Sequence, residues 1–295
     1  MNIIKPEKLK VGDTIGIVAT SGAYNDSKDN ILQAISYFKN HGYNIVLSEN
    51  IFDKDRYLAG SDEKRVEELH KMFINPHIKA IVCLRGGYGA IRIINKVDYS
   101  LIRNNPKIFC GYSDVTALNA MILKRAGLIT YSGPMVLSDF AKDTCNVYTT
   151  QEFFNTLTSD SIAYKIDKIY KKGNAEGIFW GGNLSTIVSL CGQDFMPEEK
   201  FIFFAEDLNE PVYKIDKMFQ QLINIEQFSK NIQAIVLGDF IELGNEEWFE
   251  DLVVEISEKL NIPVVKKNGI THKSRKITIP YGIQTKLEND RLIFG

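Results

Sequence analysis

Short apolar runs alternate with helical patterns along the first half of the chain, and this alternation limits the fold more than any other feature. The runs are rich in β-branched residues and cover residues 14–19, 44–47, 80–84 and 108–110. Between them, apolar side chains recur every three or four residues, as Val66, Leu69 and Phe73 do. Strands that alternate with helices predict a parallel sheet with helices on both faces.

The second half of the chain is organised differently. Polar, weakly patterned sequence begins near Asp143, and further apolar runs follow at residues 201–205 and 234–238. The tail alternates between apolar and polar side chains, which is typical of antiparallel strands. We therefore expect an α/β fold with an N-terminal domain over residues 1–145, a connection over residues 146–172 and a C-terminal domain over residues 173–295.

The composition argues against several kinds of partner. Lysine and arginine together number 35 against 37 acidic residues, so the chain has no basic excess with which to bind nucleic acid. The four cysteines form no CxxC pair, and we expect no metal, no cofactor and a reducing compartment. No apolar run approaches the ~20 residues that span a bilayer, and the N-terminus lacks an apolar signal segment. We expect a soluble, cytoplasmic protein with no membrane partner.

A serine lies directly after one of the predicted strands. The apolar run at residues 108–110 ends at Gly111, Ser113 follows, and a helical pattern with Val115 and Leu118 begins at once. A sharp strand-to-helix turn exposes a serine side chain and aims backbone N–H groups at the space in front of it. We therefore interpret Ser113 as a nucleophile. No glycine stands two residues beyond the serine, which disfavours an ordinary α/β-hydrolase.

A nucleophilic serine needs a base, and the base needs an orienting acid. Of the four histidines, His272 differs from the rest because it closes a predicted strand and lies in a loop. Glu206 ends the apolar run at residues 201–205. A carboxylate there is placed to hold an imidazole N–H, but taken alone it suits the start of a following helix better. The residues alone leave a structural and a catalytic interpretation open for both side chains.

A glycine-rich loop at residues 85–89 follows the strand at 80–84. A lone loop of this kind is a weak signal for phosphate binding, and no lysine with a serine or threonine continues it as in a P-loop. The better interpretation is an oxyanion donor, in which a backbone N–H of this loop acts with the N–H of Asp114. Ligands of open α/β sheets bind beyond the carboxyl ends of the strands. We therefore expect this loop and Ser113 to meet over one site.

Several separated motifs together resemble those of the LD-carboxypeptidases, a family of serine peptidases that includes muramoyltetrapeptide carboxypeptidases and microcin-immunity peptidases. The motifs occur in the family's order and cover nearly the whole chain. They are KVGDTIG (10–16) with residues 19–23, RGGYG (85–89), GYSD (111–114), SGPM (132–135), GGNL (181–184), FAED (204–207) and GITH (269–272). Each motif is modest alone, and the set is specific.

The resemblance implies an N-terminal flavodoxin-like parallel sheet sandwich and a smaller C-terminal mixed α/β domain. It also implies a catalytic triad that the two domains must bring together. In that triad Ser113 is the nucleophile, His272 is the general base and then the acid, and Glu206 is the orienting acid. Backbone N–H groups near Gly87 and of Asp114 are the implied oxyanion hole.

By the same resemblance the substrate is a murein tetrapeptide, cut between the L-centre of its diamino acid and the terminal D-Ala, in cell-wall recycling. The enzyme is expected to be a homodimer. The substrate-binding candidates are Arg85, Tyr88 and Asn183, although a structural ion pair suits Arg85 as well and a helix cap suits Asn183. The residues directly after His272 are polar or basic where the family more often has glycine and proline, which leaves the substrate details open.

Two alternatives remain. A microcin-immunity-type peptidase that acts on an aminoacyl-nucleotide conjugate uses the same machinery, and only the pocket loops discriminate; the relatively short chain favours cell-wall recycling. A non-catalytic binding protein for a nucleotide or a peptide is the alternative from a different class. An intact serine, glutamate and histidine argue against it.

Overall fold

The computed structural model describes residues 3–25, 27–141 and 145–295. Its strands, in chain order, are β1 (Thr14–Val18), β2 (Asn44–Leu47), β3 (Ile78–Cys83), β4 (Ile108–Cys110), β5 (Thr130–Ser132), β6 (Ile162–Lys165), β7 (Lys168–Lys171), β8 (Ala175–Asn183), β9 (Phe201–Leu208), β10 (Ile232–Ile241), β11 (Val264–Lys266), β12 (Ile279–Tyr281), β13 (Gln284–Glu288) and β14 (Arg291–Phe294).

The helices between these strands are mostly short. They are α1 (Lys28–Asn40), α2 (Asp62–Ile74), α3 (Ala90–Ile93), α4 (Tyr99–Asn104), α5 (Thr116–Ala126), α6 (Val147–Thr158), α7 (Leu184–Ser189), α8 (Val212–Ile223), α9 (Glu226–Asn231) and α10 (Glu246–Leu260). Single turns of 3₁₀-helix cover Glu49–Phe52 and Ser113–Val115, and a π-helical turn covers Val136–Phe140.

The chain divides into two compact units, and the first holds a six-stranded sheet. This N-terminal unit extends to Ser159 and also contains Ile277–Pro280. Its strand order is β2-β1-β3-β4-β5 followed by β12, and β1 to β5 pair in parallel. The order 2-1-3-4-5 is that of flavodoxin-like sheets, so the predicted parallel sheet is confirmed.

The inner strands β1, β3 and β4 of this sheet are buried on both faces. Ile15, Ile17 and other alternate residues of the strands belong to one core cluster with Phe38 of α1 and Phe153 of α6. On the opposite face, Phe109 of β4 stacks on Phe73 of α2 at a ring-centroid distance of 6.1 Å. Burial on both faces explains why these strands are continuous apolar runs rather than alternating ones.

Helix α2 shows how the local sequence sets the helix ends. The side chain of Ser61 accepts the N–H of Lys64 at 3.2 Å and caps the first turn, which also carries acidic side chains. Asn75, the last residue before Pro76, ends the helix in an extended conformation, as expected of a residue that precedes proline.

The C-terminal unit covers Asp160–Lys276 and Tyr281–Gly295 and holds an eight-stranded mixed sheet in the order β6-β14-β13-β8-β9-β10-β11-β7. The central strands β8 to β11 are parallel, and the flanking strands are antiparallel. Aromatic residues fill both faces: Phe179 stacks on Phe204, and Trp180 packs against Phe201 and Phe203. The predicted combination of a parallel-sheet unit with a mixed α/β unit is confirmed.

The segments between the units differ from the expected linker. The stretch 146–172 was expected to be a plain connection, but it contains α6, which belongs to the N-terminal unit, and the edge strands β6 and β7 of the C-terminal sheet. Thr149, Thr150 and Phe153 are buried. Packing therefore stabilises a helix that the low helix propensity of its threonines does not predict. Asp143, where the change of character was placed, lies outside the described residues.

The tail also differs in part from the prediction. β13 and β14 form the expected antiparallel pair, whereas β12 joins the N-terminal sheet beside β5. In the described ranges, no helix combines the length and the apolar character needed to cross a membrane.

Candidate functional site

Ser113 occupies a strained turn at the carboxyl end of β4. Its φ of 61° lies in the left-handed region, which is unusual for a residue with a side chain and is found at functional sites. The turn is tight because a Cβ on Gly111 would lie 2.8 Å from Val115. Asn119 of α5 donates to the Gly111 carbonyl at 2.9 Å and ties the new helix back to the strand end. The structure thus gives Ser113 the predicted strand-to-helix elbow.

The glycine-rich loop lies against this serine, as expected from the strand ends. A Cβ on Gly86 would be 3.4 Å from the Ser113 Oγ. The N–H of Gly22, in the loop after β1, donates to the Gly86 carbonyl at 3.2 Å. Because the peptide unit is planar, that bond also orients the N–H of Gly87 on the other side of the same peptide. Gly87, with φ 107°, is exposed at the loop tip.

The two remaining side chains of this loop have different surroundings. Arg85 is half-buried and donates from Nη1 to the Ala23 carbonyl at 3.0 Å. Tyr88 is exposed and meets Tyr57 edge-on at a ring-centroid distance of 5.7 Å. An arginine that contacts a carbonyl oxygen and an exposed aromatic pair are both compatible with binding a peptide, and they remain candidates.

The side chain of Asp114 is buried behind the elbow, a feature that the sequence alone did not suggest. Its carboxylate accepts the N–H of Ala90 at 2.9 Å. Burial raises the pKa of this carboxyl group, although the Ser21 hydroxyl and the N–H groups of Ala90 and Gly89 donate to it and act in the opposite direction. The residue after Ser113 therefore holds the far end of the glycine-rich loop with its side chain.

Arg65 of α2 reaches the same loop and was also missed by sequence reasoning. It is fully buried, and its Nη1 donates to the Gly89 carbonyl at 2.8 Å and to the Thr20 carbonyl at 2.6 Å. Its Nη2 pairs with Asp62. A buried guanidinium needs such partners to offset its desolvation.

In the C-terminal unit, Glu206 and His272 form a hydrogen-bonded pair. The His272 Nδ1 lies 2.6 Å from the Glu206 Oε2, and the two side chains are 15% and 4% exposed. A carboxylate only accepts hydrogen bonds, so Nδ1 is the ring nitrogen that donates in this contact. The contact has the geometry that an orienting acid and a histidine have in known catalytic triads.

Close packing of the backbone positions this pair. Glu206 is near the end of β9, and the N–H of Asp239 donates to the Ile270 carbonyl at 2.8 Å, which fastens the loop of His272 to β10. A Cβ on Gly238 would lie 2.2 Å from that carbonyl and 3.0 Å from the Glu206 Cβ. Glycine is therefore required where the histidine loop crosses the strand.

Asn183 makes the contacts of a helix cap. Its Oδ1 accepts the N–H of Thr186 at 3.1 Å, and its Nδ2 donates to Asp207 at 2.9 Å. Asp207 also accepts the N–H of Ser185 at 2.8 Å. Burial raises the pKa of Asp207, although these donors act against it. Asn183 is thereby held rigidly at the end of β8, whatever else it binds.

The described part of the chain holds no cluster of three or more histidine, cysteine or carboxylate side chains arranged to bind a metal ion. The predicted site residues supply a hydroxyl, an imidazole, a carboxylate and backbone N–H groups. Ser113, Asp114, Arg85, Gly87 and Tyr88 belong to the N-terminal unit, and Asn183, Glu206 and His272 belong to the C-terminal unit.

The fold defines an α/β protein built from a flavodoxin-like unit and a mixed-sheet unit, and comparisons with known proteins specify its class. The model of the LD-carboxypeptidase N-terminal domain matches residues 15–133, and that of the LD-carboxypeptidase C-terminal domain matches residues 176–287. A probable murein peptide carboxypeptidase of Bacillus subtilis is 31% identical, over 96% of this chain and 91% of its own length. The chain therefore belongs to the LD-carboxypeptidase family and is a peptidase.

Two further relatives show the range of this similarity. The microcin C7 self-immunity protein MccF of Escherichia coli is 29% identical, over 96% of this chain and 92% of the relative. The crystal structure of a muramoyltetrapeptide carboxypeptidase from Oxalobacter formigenes has a TM-score of 0.87 at 29% identity, covering 96% of this chain and 98% of that chain.

Proposed function

We propose that this protein is a serine-type LD-carboxypeptidase that releases the terminal D-Ala from murein tetrapeptides. The hydrogen bond between His272 and Glu206 is the observation that carries the serine-type part of the proposal. It holds an imidazole in the tautomer that accepts a proton at Nε2, and a strained serine turn supplies the complementary nucleophile. The substrate is proposed from the murein peptide carboxypeptidases among the relatives.

In the proposed mechanism, His272 Nε2 takes the proton of the Ser113 hydroxyl as Oγ attacks the carbonyl carbon that precedes D-Ala. The developing imidazolium is stabilised by Glu206 through the Nδ1–H. His272 then gives its proton to the amine of D-Ala, which leaves, and the peptide remains as an ester on Ser113. Water, deprotonated by His272, hydrolyses this ester and restores the serine.

The tetrahedral intermediate places a negative charge on the former carbonyl oxygen. We assign its stabilisation to the N–H groups of Gly87 and Asp114, which flank the serine in the loop and in the elbow. Removing one such donor typically costs about 3 kcal/mol in the activation barrier. The substrate's terminal carboxylate requires a cation or several donors, and Arg85 is the candidate in the glycine-rich loop, with Tyr88 and Asn183 as further peptide-binding candidates.

A direct test is to incubate the protein with murein tetrapeptide and to measure free D-Ala and tripeptide. We expect wild-type turnover that a metal chelator leaves unchanged, and no turnover from Ser113→Ala with an unchanged melting temperature, because the variant lacks the nucleophile. Turnover by Ser113→Ala would remove this serine from the mechanism. Inhibition by a chelator would show a metal requirement.

A second candidate substrate follows from the similarity to the microcin C7 self-immunity protein. An aminoacyl-nucleotide conjugate would be cleaved by the same serine, imidazole and carboxylate, so the chemistry does not separate the two. We favour the murein peptide, and the ratio of kcat/KM for tetrapeptide and for a glutamyl or aspartyl nucleotide conjugate decides between them. A ratio far below one would reassign the substrate class.

The homodimer and the cytoplasmic setting also remain proposals. Light scattering on the purified protein gives the mass in solution, with twice 33.5 kDa expected for the dimer. Cell fractionation tests the location.

A further inference from the structure

Gly87, the proposed oxyanion donor, lies in a loop whose glycines do not by themselves fix its conformation. Gly87 and Gly89 have φ values of 107° and 137°, and glycine loses more conformational freedom on folding than any other residue. Gly87 is exposed at the tip. A donor that must be in place before the charge develops therefore needs fixed points on both sides of it.

The first fixed point lies just before the donor. The Gly22 N–H holds the Gly86 carbonyl and thereby sets the plane of the peptide that carries the Gly87 N–H. Gly22 lies in the loop after β1, so its own position must also be fixed. The carbonyl of Thr20, two residues earlier, accepts from Arg65 at 2.6 Å.

The second fixed point lies two residues after the donor. The Gly89 carbonyl accepts from Arg65 at 2.8 Å, and the Gly89 N–H donates to the Asp114 carboxylate, which also accepts the Ala90 N–H at 2.9 Å. A Cβ on Gly89 would lie 2.8 Å from the Arg65 Nη1, so the contact is close. Both peptide groups of Gly89 are thus held by charged, buried side chains.

Arg65 therefore connects the loop after β1 to the glycine-rich loop, and Asp114 connects the glycine-rich loop to the nucleophile elbow. A planar guanidinium is suited to this because its donors are fixed in a fork that binds several acceptors at once. We propose that Arg65 and the Asp114 carboxylate are positioning residues that hold the Gly87 N–H in register with Ser113. This inference rests on the proposed serine mechanism.

The expected consequence is a defect in turnover rather than in substrate affinity. An interaction made only in the transition state lowers kcat when it is lost, whereas KM stays nearly constant. We expect Arg65→Lys, Arg65→Met and Asp114→Asn to lower kcat about 10- to 100-fold, with KM within about threefold of wild type. Arg65→Lys keeps the positive charge but loses the planar, forked set of donors of the guanidinium.

A matched control separates positioning from general stability. Lys107 is another buried cation of this unit, and its Nζ donates to the carbonyls of Asn75 and Ile78 at 2.6 Å each. It precedes β4 and so lies at the amino end of the sheet, away from the loops. We expect Lys107→Met to lower the melting temperature as Arg65→Met does, and to leave kcat per active site unchanged.

The experiment measures the melting temperature, kcat and KM on murein tetrapeptide, and both the stoichiometry and the rate of labelling by a fluorophosphonate. Stoichiometry counts folded sites, so a variant that merely unfolds loses sites and not kcat per site. Unchanged kcat per site in the folded variants would overturn the proposal. Should Arg65 variants fail to fold, Asp114→Asn, which preserves the side-chain shape, decides alone.

The two proposals fail in different ways. If wild type is labelled but releases no D-Ala, the substrate assignment is wrong. The positioning role of Arg65 and Asp114 is then still tested by the labelling rate, since phosphonylation also develops charge on an oxygen. If wild type is not labelled, Ser113 is not an activated nucleophile, and the positioning role is overturned with it.

Discussion

At the scale of the residue, glycine in the C-terminal unit marks places where two backbones touch. Gly181 of β8 has φ 144°, and a Cβ there would lie 1.9 Å from the Phe204 carbonyl of β9. Both the backbone conformation and the contact exclude a side chain. Gly181, the first glycine of the pair that precedes Asn183, thus has a packing explanation.

We predict that Gly181→Ala destabilises the protein by about 2–4 kcal/mol, because the clash adds to the cost of a left-handed conformation. Gly192 is the matched control, since its φ is 100° and nothing lies within 4 Å of a Cβ built on it. Gly192→Ala should cost only the conformational part, about 1–2 kcal/mol. Denaturant unfolding measures both, and equal losses would contradict the role of the Phe204 contact.

The same scale shows which site residues the sequence could predict. Ser113 was predictable because an apolar run, a glycine and a helical pattern follow one another within a few residues. Arg65 was not, since it lies in the run 62–71, where acidic and basic residues surround it as on a solvated helix face. The tertiary fold buries the Arg65 side chain completely, and the sequence around it does not indicate this.

At the scale of the element, helix α2 is fastened to the 3₁₀ turn at Glu49–Phe52 through Glu68. The Glu68 carboxylate accepts the Glu49 N–H at 2.7 Å and pairs with Lys71 and Lys64 at 2.8 and 3.1 Å. Burial alone would raise the pKa of Glu68, but Lys71, the Glu49 N–H and Lys64 outweigh it and hold the pKa below its usual value. Because α2 also carries Arg65, this anchor supports the loops at the site.

The lowered pKa gives a pH dependence of known sign. The unfolded chain binds a proton on Glu68 more readily than the folded chain does, so the stabilisation is present above the ordinary glutamate pKa and is lost as the pH falls through the folded pKa. We predict that Glu68→Gln destabilises the protein by about 1.5–3 kcal/mol at neutral pH. Unfolding measured at several acidic pH values should show the difference from wild type shrinking, and a difference that grows on acidification would contradict the assignment.

Elements were predictable where their signal is local. The inner parallel strands β1, β3 and β4 of the N-terminal sheet appeared as apolar runs because both of their faces are buried. The stretch 146–172 escaped prediction because α6 depends on buried threonines and because β6 and β7 are short edge strands with much exposed sequence. The formation of α6, β6 and β7 therefore depends on packing partners that are distant in the sequence.

At the scale of the whole molecule, the chain builds each unit from more than one segment. After strands β6 to β11 of the C-terminal sheet, the chain returns to the N-terminal unit with Ile277–Pro280. It then contributes β13 and β14 to the C-terminal sheet. No periodicity in the sequence predicts that the chain passes between the units in this way. β12 pairs with a strand almost 150 residues earlier in the chain (residues 279–281 against 130–132). The family resemblance, in contrast, was carried by motifs in both units and was confirmed.

In the proposed mechanism, a hydroxyl from the N-terminal unit is activated by an imidazole from the C-terminal unit. The most direct test of this claim is the rate and the position of fluorophosphonate labelling, followed by mass spectrometry of the digested protein, in wild type and in His272→Ala. We predict that the label lies on Ser113 and that the variant, with an unchanged melting temperature, is labelled on the order of 10³-fold more slowly. A label on another residue, or a folded His272→Ala that reacts as fast as wild type, would contradict the claim.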